Sequence, residues 1–296
     1  MADRYRRTQG GHAGRHLIQV LAAAAAAGLA LAACGAGAGA AGPASPGTAR
    51  AAASPQSTAA PTASAGGGRT GGAPKAKLLA GKVVGIDPGH NGLNNTDPAY
   101  LARQIWNGRE LEDCDTTGTE TDGGYTEAQF NFNVATYLRA GLRHEGARVV
   151  MTRPSNHGVG PCVDRRAQIL NLAHANVAID IHADGGPSWG RGFTVLEPVA
   201  DGPNDKMIAA SERFGSDVRS AFLAHTPMGI SDYYGHDGLI FRDDLAGLNL
   251  TTVPKVLIEC GNMRNAADAA LLTSASVQRR IARALEAAIN RFLAGR

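Results

Sequence analysis

The chain has 296 residues, with 29 basic and 26 acidic side chains and a formal net charge of +3. The first 77 residues hold eight of the basic side chains but only one acid, Asp3, which leaves 21 basic and 25 acidic side chains and a net charge near −4 in residues 78–296. A folded domain that binds nucleic acid needs a basic face, and no run of residues 78–296 supplies one, so we expect no nucleic-acid partner. The remaining length, about 220 residues, fits one α/β domain.

The first 33 residues have the order of a bacterial secretion signal. Residues 1–15 are basic, and an alanine-rich apolar run over 17–33 follows, interrupted only by Gln19 and Gly28. A membrane-spanning helix needs roughly 20 apolar residues, and no basic stop signal follows this shorter run. We therefore predict a cleaved signal and an exported protein, held at the outer face of the cytoplasmic membrane or secreted to the periplasm or cell wall.

The segment after the signal predicts a lipid anchor followed by a tether. Cys34 comes directly after Leu31-Ala32-Ala33, a stretch that resembles the lipobox of bacterial lipoproteins. Lipidation of Cys34 would be the only contact with a membrane, and the alternative is an incidental cysteine with ordinary cleavage further along. Residues 34–77 are rich in Ala, Gly, Pro and Ser, and they lack the apolar surface that offsets chain entropy, which predicts a disordered tether.

Short aliphatic runs alternate with helical patterns throughout residues 78–296. The helix that begins at Thr126 has the Thr-x-x-Gln pattern of a capping box and a core-facing stripe that includes Phe130, Val134 and Leu138. Such alternation predicts one α/β domain with a mainly parallel, twisted sheet covered by helices on both faces. We predict strands at 82–86, 148–151, 177–181, 192–196 and 255–258, and helices at 126–142, 164–174, 204–224 and 277–293.

Three cysteines lie in the predicted domain. Cys114 and Cys162 both occur in loop sequence rich in Gly, Asp and Pro. A disulfide between two loop cysteines is the expected state in an exported protein, so we predict a Cys114–Cys162 bridge. Cys260 ends an aliphatic run beside an acid, and we predict a buried free thiol there.

Three aliphatic strands end in residues that bind metals or catalyse reactions. The first strand runs into Asp87 and His90, the third into His182, and the last into Glu259. Ligands bind outside the carboxyl ends of the strands of an open parallel sheet, so these side chains are expected at one rim. Glu127, in the first turn of the helix that follows Thr126, can point into the same crevice.

Two histidines and one carboxylate with a free fourth position form a catalytic zinc set, and a further carboxylate serves as the general base. Each residue also has a simpler interpretation, because His90 could be a loop residue, Glu127 could favour the helix dipole, and Glu259 could pair with Arg264. Only their joint placement at strand ends favours the metal site. The residues alone leave open which glutamate is the ligand.

Several segments, taken in order, resemble the zinc-dependent N-acetylmuramoyl-L-alanine amidases of the amidase-3 class, and in particular the single-domain mycobacterial type. The resemblance covers residues 78–296 and implies one α/β domain with a mostly parallel sheet of about six strands. The segments are 86–92 (IDPGHNG), the helix start at Thr126-Glu127, 149–153 (VVMTR), Arg166 with Asn171, 179–184 (IDIHAD) and 256–262 (VLIECGN).

The resemblance also implies the roles of the site residues. His90, Glu127 and His182 would bind Zn²⁺, and Glu259 would be the catalytic glutamate. The substrate would be peptidoglycan or its muropeptide fragments, cut between N-acetylmuramic acid and L-alanine by a monomer. The alternatives are another zinc hydrolase that cuts within the peptide stem and a catalytically inactive, wall-binding regulator.

The chain departs from the family pattern at two places. Asp180 stands where family members commonly have Ser, and the alternation of a strand puts it on the same face as His182, where it would orient that ligand. Asp87 is expected to support the site in the same way, with a strand-end turn as the alternative. The stretch from His90 to Glu127 is long and predicts a loop near the cleft, held by the cysteine bridge, that either binds substrate or limits access.

Overall fold

The computed structural model describes residues 77–295, so the predicted signal, Cys34 and all of the tether except Lys77 lie outside the described residues. Within these residues, six strands form the main sheet and two form a separate hairpin. The strands are β1 (Val83–Pro88), β2 (Gln104–Trp106), β3 (Leu111–Asp113), β4 (Arg148–Met151), β5 (Val177–Asp184), β6 (Thr194–Pro198), β7 (Leu239–Arg242) and β8 (Lys255–Asn262). The helices are α1 (Pro98–Leu101), α2 (Glu127–His144), α3 (Val163–Leu172), α4 (Ile208–His225), α5 (Ala246–Asn249), α6 (Ala266–Leu272) and α7 (Ala275–Leu293).

The main sheet has the strand order β4-β1-β5-β8-β6-β7. Every neighbouring pair is parallel except β6 and β8, which run antiparallel. The central strands β1, β5 and β8 are aliphatic and buried, as expected of strands covered on both faces. The predicted α/β domain with a mostly parallel, six-stranded sheet is thus confirmed.

Helices cover both faces of this sheet. The larger core lies between the sheet and helices α2, α4 and α7, where Phe130, Phe214 and Ile281 are fully buried. On the opposite face, two smaller clusters pack α3 and α5 against the sheet through Leu170 and Leu248. None of the helices within residues 77–295 has the length and apolar character needed to cross a membrane.

The elements that differ from prediction are short or polar. Strands β5 and β8 continue past their aliphatic runs, because the polar residues at their ends still pair across the sheet, with Asp184 opposite Asn262. The hairpin of β2 and β3 has three residues on each side and little burial, so no alternating apolar pattern predicts it. Strand β7 lies at the sheet edge and is only partly buried, which weakens its apolar pattern in the same way.

The start of α2 forms one of the two hydrogen bonds of the predicted capping box. The Thr126 hydroxyl accepts a hydrogen bond from the backbone N–H of Gln129 at 3.3 Å, which satisfies one free donor of the first turn. The Gln129 side chain instead bonds Asn133 and Asn156. Thr126 thereby fixes the first residue of the helix, which is Glu127.

Cys114 and Cys162 are joined by a disulfide across a sequence separation of 48 residues. The bridge ties the segment that follows β3 to the start of α3, since Cys162 is the residue before that helix. Cys260 is a buried free thiol, as predicted.

Candidate metal centre

His90, Glu127 and His182 meet at the carboxyl ends of β1 and β5, where one ligand atom of each lies within 4.8 Å of the others. Oε1 of Glu127 is 2.8 Å from Nδ1 of His182, and its Oε2 is 3.3 Å from Nε2 of His90. Two imidazole nitrogens and a carboxylate oxygen at this spacing match the donor set of a catalytic zinc site. The residues therefore fit a divalent metal ion, as the resemblance implies.

Glycines make the close approach of these side chains possible. A Cβ atom at Gly89 would lie 2.1 Å from the His182 ring, so a larger residue there would displace the histidine. Gly118 has a φ of +74°, and a Cβ atom there would lie 2.7 Å from His90 and 2.8 Å from Glu127. His90 itself has a φ of 56°. Residues other than glycine seldom adopt this backbone conformation, and those that do tend to lie at functional sites.

Each histidine faces a second carboxylate with its other ring nitrogen. Nδ1 of His90 lies 3.1 Å from Oδ1 of Asp115, within hydrogen-bond geometry. Nε2 of His182 lies 3.3 Å from Oδ1 of Asp180, although without the alignment of a hydrogen bond. Carboxylates placed in this way orient metal-binding imidazoles and fix their tautomers.

A buried chain of charges joins these two carboxylates beneath the site. Nζ of Lys255 lies 2.9 Å from Asp87 and 3.2 Å from Asp180, while Arg166 reaches Asp87 and Asp115 at 3.1 Å each. Burial by itself raises the pKa of Asp87, but the charges of Lys255 and Arg166 outweigh it and hold the pKa well below its usual range. Asp87 is therefore charged, and Lys255 and Arg166 compensate its charge.

The protonation of the ligand residues follows from their mutual contacts. Burial lowers the pKa of His90, but the Glu127 carboxylate and the hydrogen bond with Asp115 together raise it to about 9. Burial raises the pKa of Glu127, and the charges and hydrogen bonds of the two histidines lower it well below its usual range. Without a metal ion, the positive charge of the protonated imidazoles therefore compensates the Glu127 carboxylate. A divalent cation would supply this charge instead, and the histidines would release their protons as they bind it.

Glu259 is the fourth candidate side chain at this rim. It is the register partner of His182 across β5 and β8, and its Oε2 is buried without a hydrogen-bond partner. Burial raises the pKa of Glu259 to about 8, with His182 opposing this shift and Glu127 reinforcing it. The alternative ion pair with Arg264 is absent, because Arg264 pairs with Asp122 at 3.0 Å.

Two cavities adjoin this group of residues. The first has a volume of about 610 Å³ and is lined by Asn91, Gly118, Thr119, Glu120, Gly185 and Arg264, among others. The second has a volume of about 300 Å³, and its wall includes His90, His182, Asp180 and the hairpin residues Glu112 and Asp113. The long segment between His90 and Glu127 therefore lines both cavities.

Asp115 and Lys255 are site contacts that the sequence patterns do not predict. Asp115 lies in a loop beside Cys114, with no periodic pattern around it. Lys255 begins the aliphatic run of β8 and is two positions from Leu257 and four from Glu259, hence on the same strand face. A lysine on that buried face requires an acidic partner, and this requirement is the one feature of the sequence that could have predicted the contact.

Comparison with known proteins places these residues in a family. A family model described as N-acetylmuramoyl-L-alanine amidase (Amidase_3) matches residues 84–291. The chain is 41% identical over 223 residues to the N-acetylmuramoyl-L-alanine amidase Rv3717 of Mycobacterium tuberculosis, covering 73% of this chain and 88% of that protein. The solved amidase Ami1 of Mycobacterium smegmatis has a TM-score of 0.69 and 39% identity, covering 74% of this chain and 99% of its own. Ami1 of Mycobacterium abscessus has a TM-score of 0.68 and 40% identity, covering 73% of this chain and 100% of its own.

Proposed function

This chain belongs to the N-acetylmuramoyl-L-alanine amidase family, and from this premise we propose that it is a zinc enzyme that hydrolyses the amide bond between N-acetylmuramic acid and L-alanine in peptidoglycan or its muropeptide fragments. The observation that carries the proposal is the set formed by His90, Glu127 and His182, together with Glu259 on the neighbouring strand. Zinc bound by such a set acts as a Lewis acid that polarises a carbonyl and makes water more acidic.

Glu259 acts as the general base and then as the general acid. Its Oε2, which has no hydrogen-bond partner, accepts a proton from the attacking water. The same oxygen returns the proton to the amide nitrogen as the C–N bond breaks. The pKa of Glu259, raised to about 8 by burial, brings the proton affinity of this carboxyl group close to neutral pH, which suits both steps.

The surrounding acids prepare the histidines for binding. A proton on Nδ1 of His90, donated toward Asp115, leaves Nε2 free to bind the metal ion. Asp180 faces Nε2 of His182 and so directs the opposite nitrogen, Nδ1, toward Glu127.

Asp87 acts on the site through Lys255. It holds the Lys255 ammonium group beneath the site, where this group also pairs with Asp180.

A digestion of purified cell wall tests the proposed reaction. The zinc-loaded protein is incubated with wall fragments, and the soluble products are identified by mass spectrometry. Complete stem peptides that begin with L-alanine are the expected product. Shortened stems would indicate a peptidase, and the absence of any product would indicate a wall-binding protein without activity. Chelation followed by zinc replacement tests whether the activity requires the metal.

We also propose where the enzyme works and in what form. The secretion signal in residues 1–33 and the lipobox-like stretch before Cys34 support export and a lipid anchor, with residues 34–77 as the tether to a monomeric catalytic domain. Free secretion to the periplasm or cell wall is the alternative. An anchor followed by a long tether would keep the domain near the outer face of the cytoplasmic membrane.

A further inference from the structure

The larger of the two cavities connects the metal-binding residues with a single cationic side chain. Gly118 lines this cavity and lies directly against His90 and Glu127. Arg264 also lines it and is the only Lys or Arg among its lining residues. A substrate that has its scissile amide at the metal site and extends through this cavity therefore comes within reach of one guanidinium group.

The backbone holds Arg264 in place while its side chain stays accessible. Its N–H donates to Oδ1 of Asn262, the last residue of β8, at 2.9 Å. Nη1 lies 3.0 Å from Oδ1 of Asp122, and the two side chains are 44% and 78% exposed. An ion pair this exposed contributes little free energy, so a ligand carboxylate can replace Asp122 at small cost. The planar guanidinium suits a carboxylate because it can donate two parallel hydrogen bonds.

The smaller cavity offers no comparable group. Arg166 is the only Lys or Arg among its lining residues. That side chain is 3% exposed, and Asp87 and Asp115 already compensate its charge. Among the residues that line the two cavities, Arg264 is therefore the accessible cation.

We propose that Arg264 binds a carboxylate of the peptide stem and makes the enzyme prefer stems whose second residue carries a free α-carboxyl group over stems in which that group is an amide. This inference rests on the proposed function. The second residue of a peptidoglycan stem is an acidic amino acid linked onward through its side chain, so its α-carboxyl group is the nearest one to the scissile bond. Glu120, an acid on the same wall, opposes the anion and makes the preference depend on Arg264.

The test compares two muramoyl dipeptides that differ only at this group, N-acetylmuramoyl-L-Ala-D-isoglutamate and N-acetylmuramoyl-L-Ala-D-isoglutamine. The zinc-loaded protein is expected to cleave the acid with a kcat/KM about three- to tenfold higher, the range of a partly exposed charge-assisted contact. Arg264→Gln should bring the ratio to one or below, mainly by slowing cleavage of the acid, because Glu120 on the same wall then repels the carboxylate. Arg264→Lys should keep part of the preference, and Asp122→Asn should increase it because it removes the competing carboxylate.

Controls separate this contact from general effects. Arg279→Gln, an exposed arginine on α7, should leave the ratio unchanged. Equal slowing of both substrates by Arg264→Gln, or an unchanged ratio, would overturn the assignment. Failure of the zinc-loaded wild type to cleave either substrate would instead contradict the proposed function. In that case, calorimetric titration of both compounds into the wild type and into Arg264→Gln measures their binding affinities and decides whether Arg264 selects the carboxylate.

Discussion

Glu259 on β8 and His182 on β5 are register partners, so a proposed metal ligand and the proposed base are adjacent on one sheet face. Neighbouring strands are about 4.8 Å apart, a separation that lets both side chains reach one substrate carbonyl. Arg264, the nearby cation that could have drawn Glu259 away from the site, is instead paired with Asp122. This relationship leads to the first prediction.

Glu259→Gln should reduce turnover by a factor on the order of 10² or more, because the amide keeps the size of the side chain but cannot accept the proton of water. The zinc content, measured by elemental analysis, should equal that of the wild type. Glu286→Gln on α7 makes the same change outside the site and should leave turnover unchanged. Loss of zinc from Glu259→Gln would mean that Glu259 is a ligand and would contradict its assignment as the base.

Asp115→Asn and Asp180→Asn should each weaken zinc binding by about 10- to 100-fold, because a neutral amide stabilises the oriented imidazole less than a carboxylate does. Competition with a zinc chelator of known affinity measures the change directly. Asp205→Asn, at an exposed position before α4, is the matched control and should bind zinc as the wild type does. Unchanged zinc affinity in both variants, with folding verified by circular dichroism, would remove these acids from the metal site.

Cys114 and Cys162 should be isolated as one disulfide-linked pair when the exported protein is mapped without reductant. The bridge closes a loop of 48 residues, so replacing both cysteines with serine should lower the free energy of unfolding by about 2–4 kcal/mol. Cys260→Ala provides the control, since it removes the free thiol and leaves the pair intact. Recovery of alkylatable thiols at both positions from correctly exported protein would contradict this prediction.

Most of the fold follows from local sequence patterns. The aliphatic runs of β1, β5 and β8 and the four-residue apolar spacing in α2 and α7 reflect burial directly, which is why these strands and helices lie where the sequence predicts them. The strand predicted at 192–196 instead lies at Thr194–Pro198, and the short helices α1, α5 and α6 are not predicted. The hairpin of β2 and β3 and the edge strand β7 bury little surface and leave no such pattern. Their positions depend on tertiary contacts instead.

The candidate site also contains residues that local sequence patterns predict and residues that only tertiary contacts bring together. His90, His182 and Glu259 follow aliphatic strands, so the topology of a parallel sheet brings them to one rim. The contact between Lys255 and Asp87 joins residues that are 168 positions apart, and no local pattern specifies such a pair. The charge network under the metal site therefore emerges only when the strands are placed side by side.

Cys34→Ala should move the enzyme from the membrane fraction to the culture medium. The proposed anchor at Cys34 predicts this shift, because the acyl chains of a processed lipoprotein hold it at the membrane. Immunoblots of the two fractions from cells that export each form measure the change. If wild type and variant release the same soluble protein, beginning beyond Cys34, the enzyme is freely secreted.

The pKa of Glu197 predicts how the stability of the folded protein changes with pH. This side chain on β6 is 3% exposed, and α4 packs against it so closely that a Cβ atom at Gly215 would lie 2.1 Å from its Oε1. Burial, reinforced by the negative charge of Glu212, raises the pKa of Glu197 from 4.5 to about 8. The folded protein thus retains a proton that the unfolded chain releases above pH 4.5.

The free energy of unfolding should therefore decrease as the pH rises from about 4.5 to 8, because the folded state binds more protons over this range. Glu197→Gln has no such proton, so its stability relative to the wild type should increase by roughly 2–4 kcal/mol between pH 5 and pH 9. Urea unfolding of both proteins at each pH measures this difference. Glu212→Gln removes only the reinforcing charge and should produce a smaller change of the same sign. A difference between Glu197→Gln and the wild type that stays constant with pH would show that Glu197 is ionised in the folded protein.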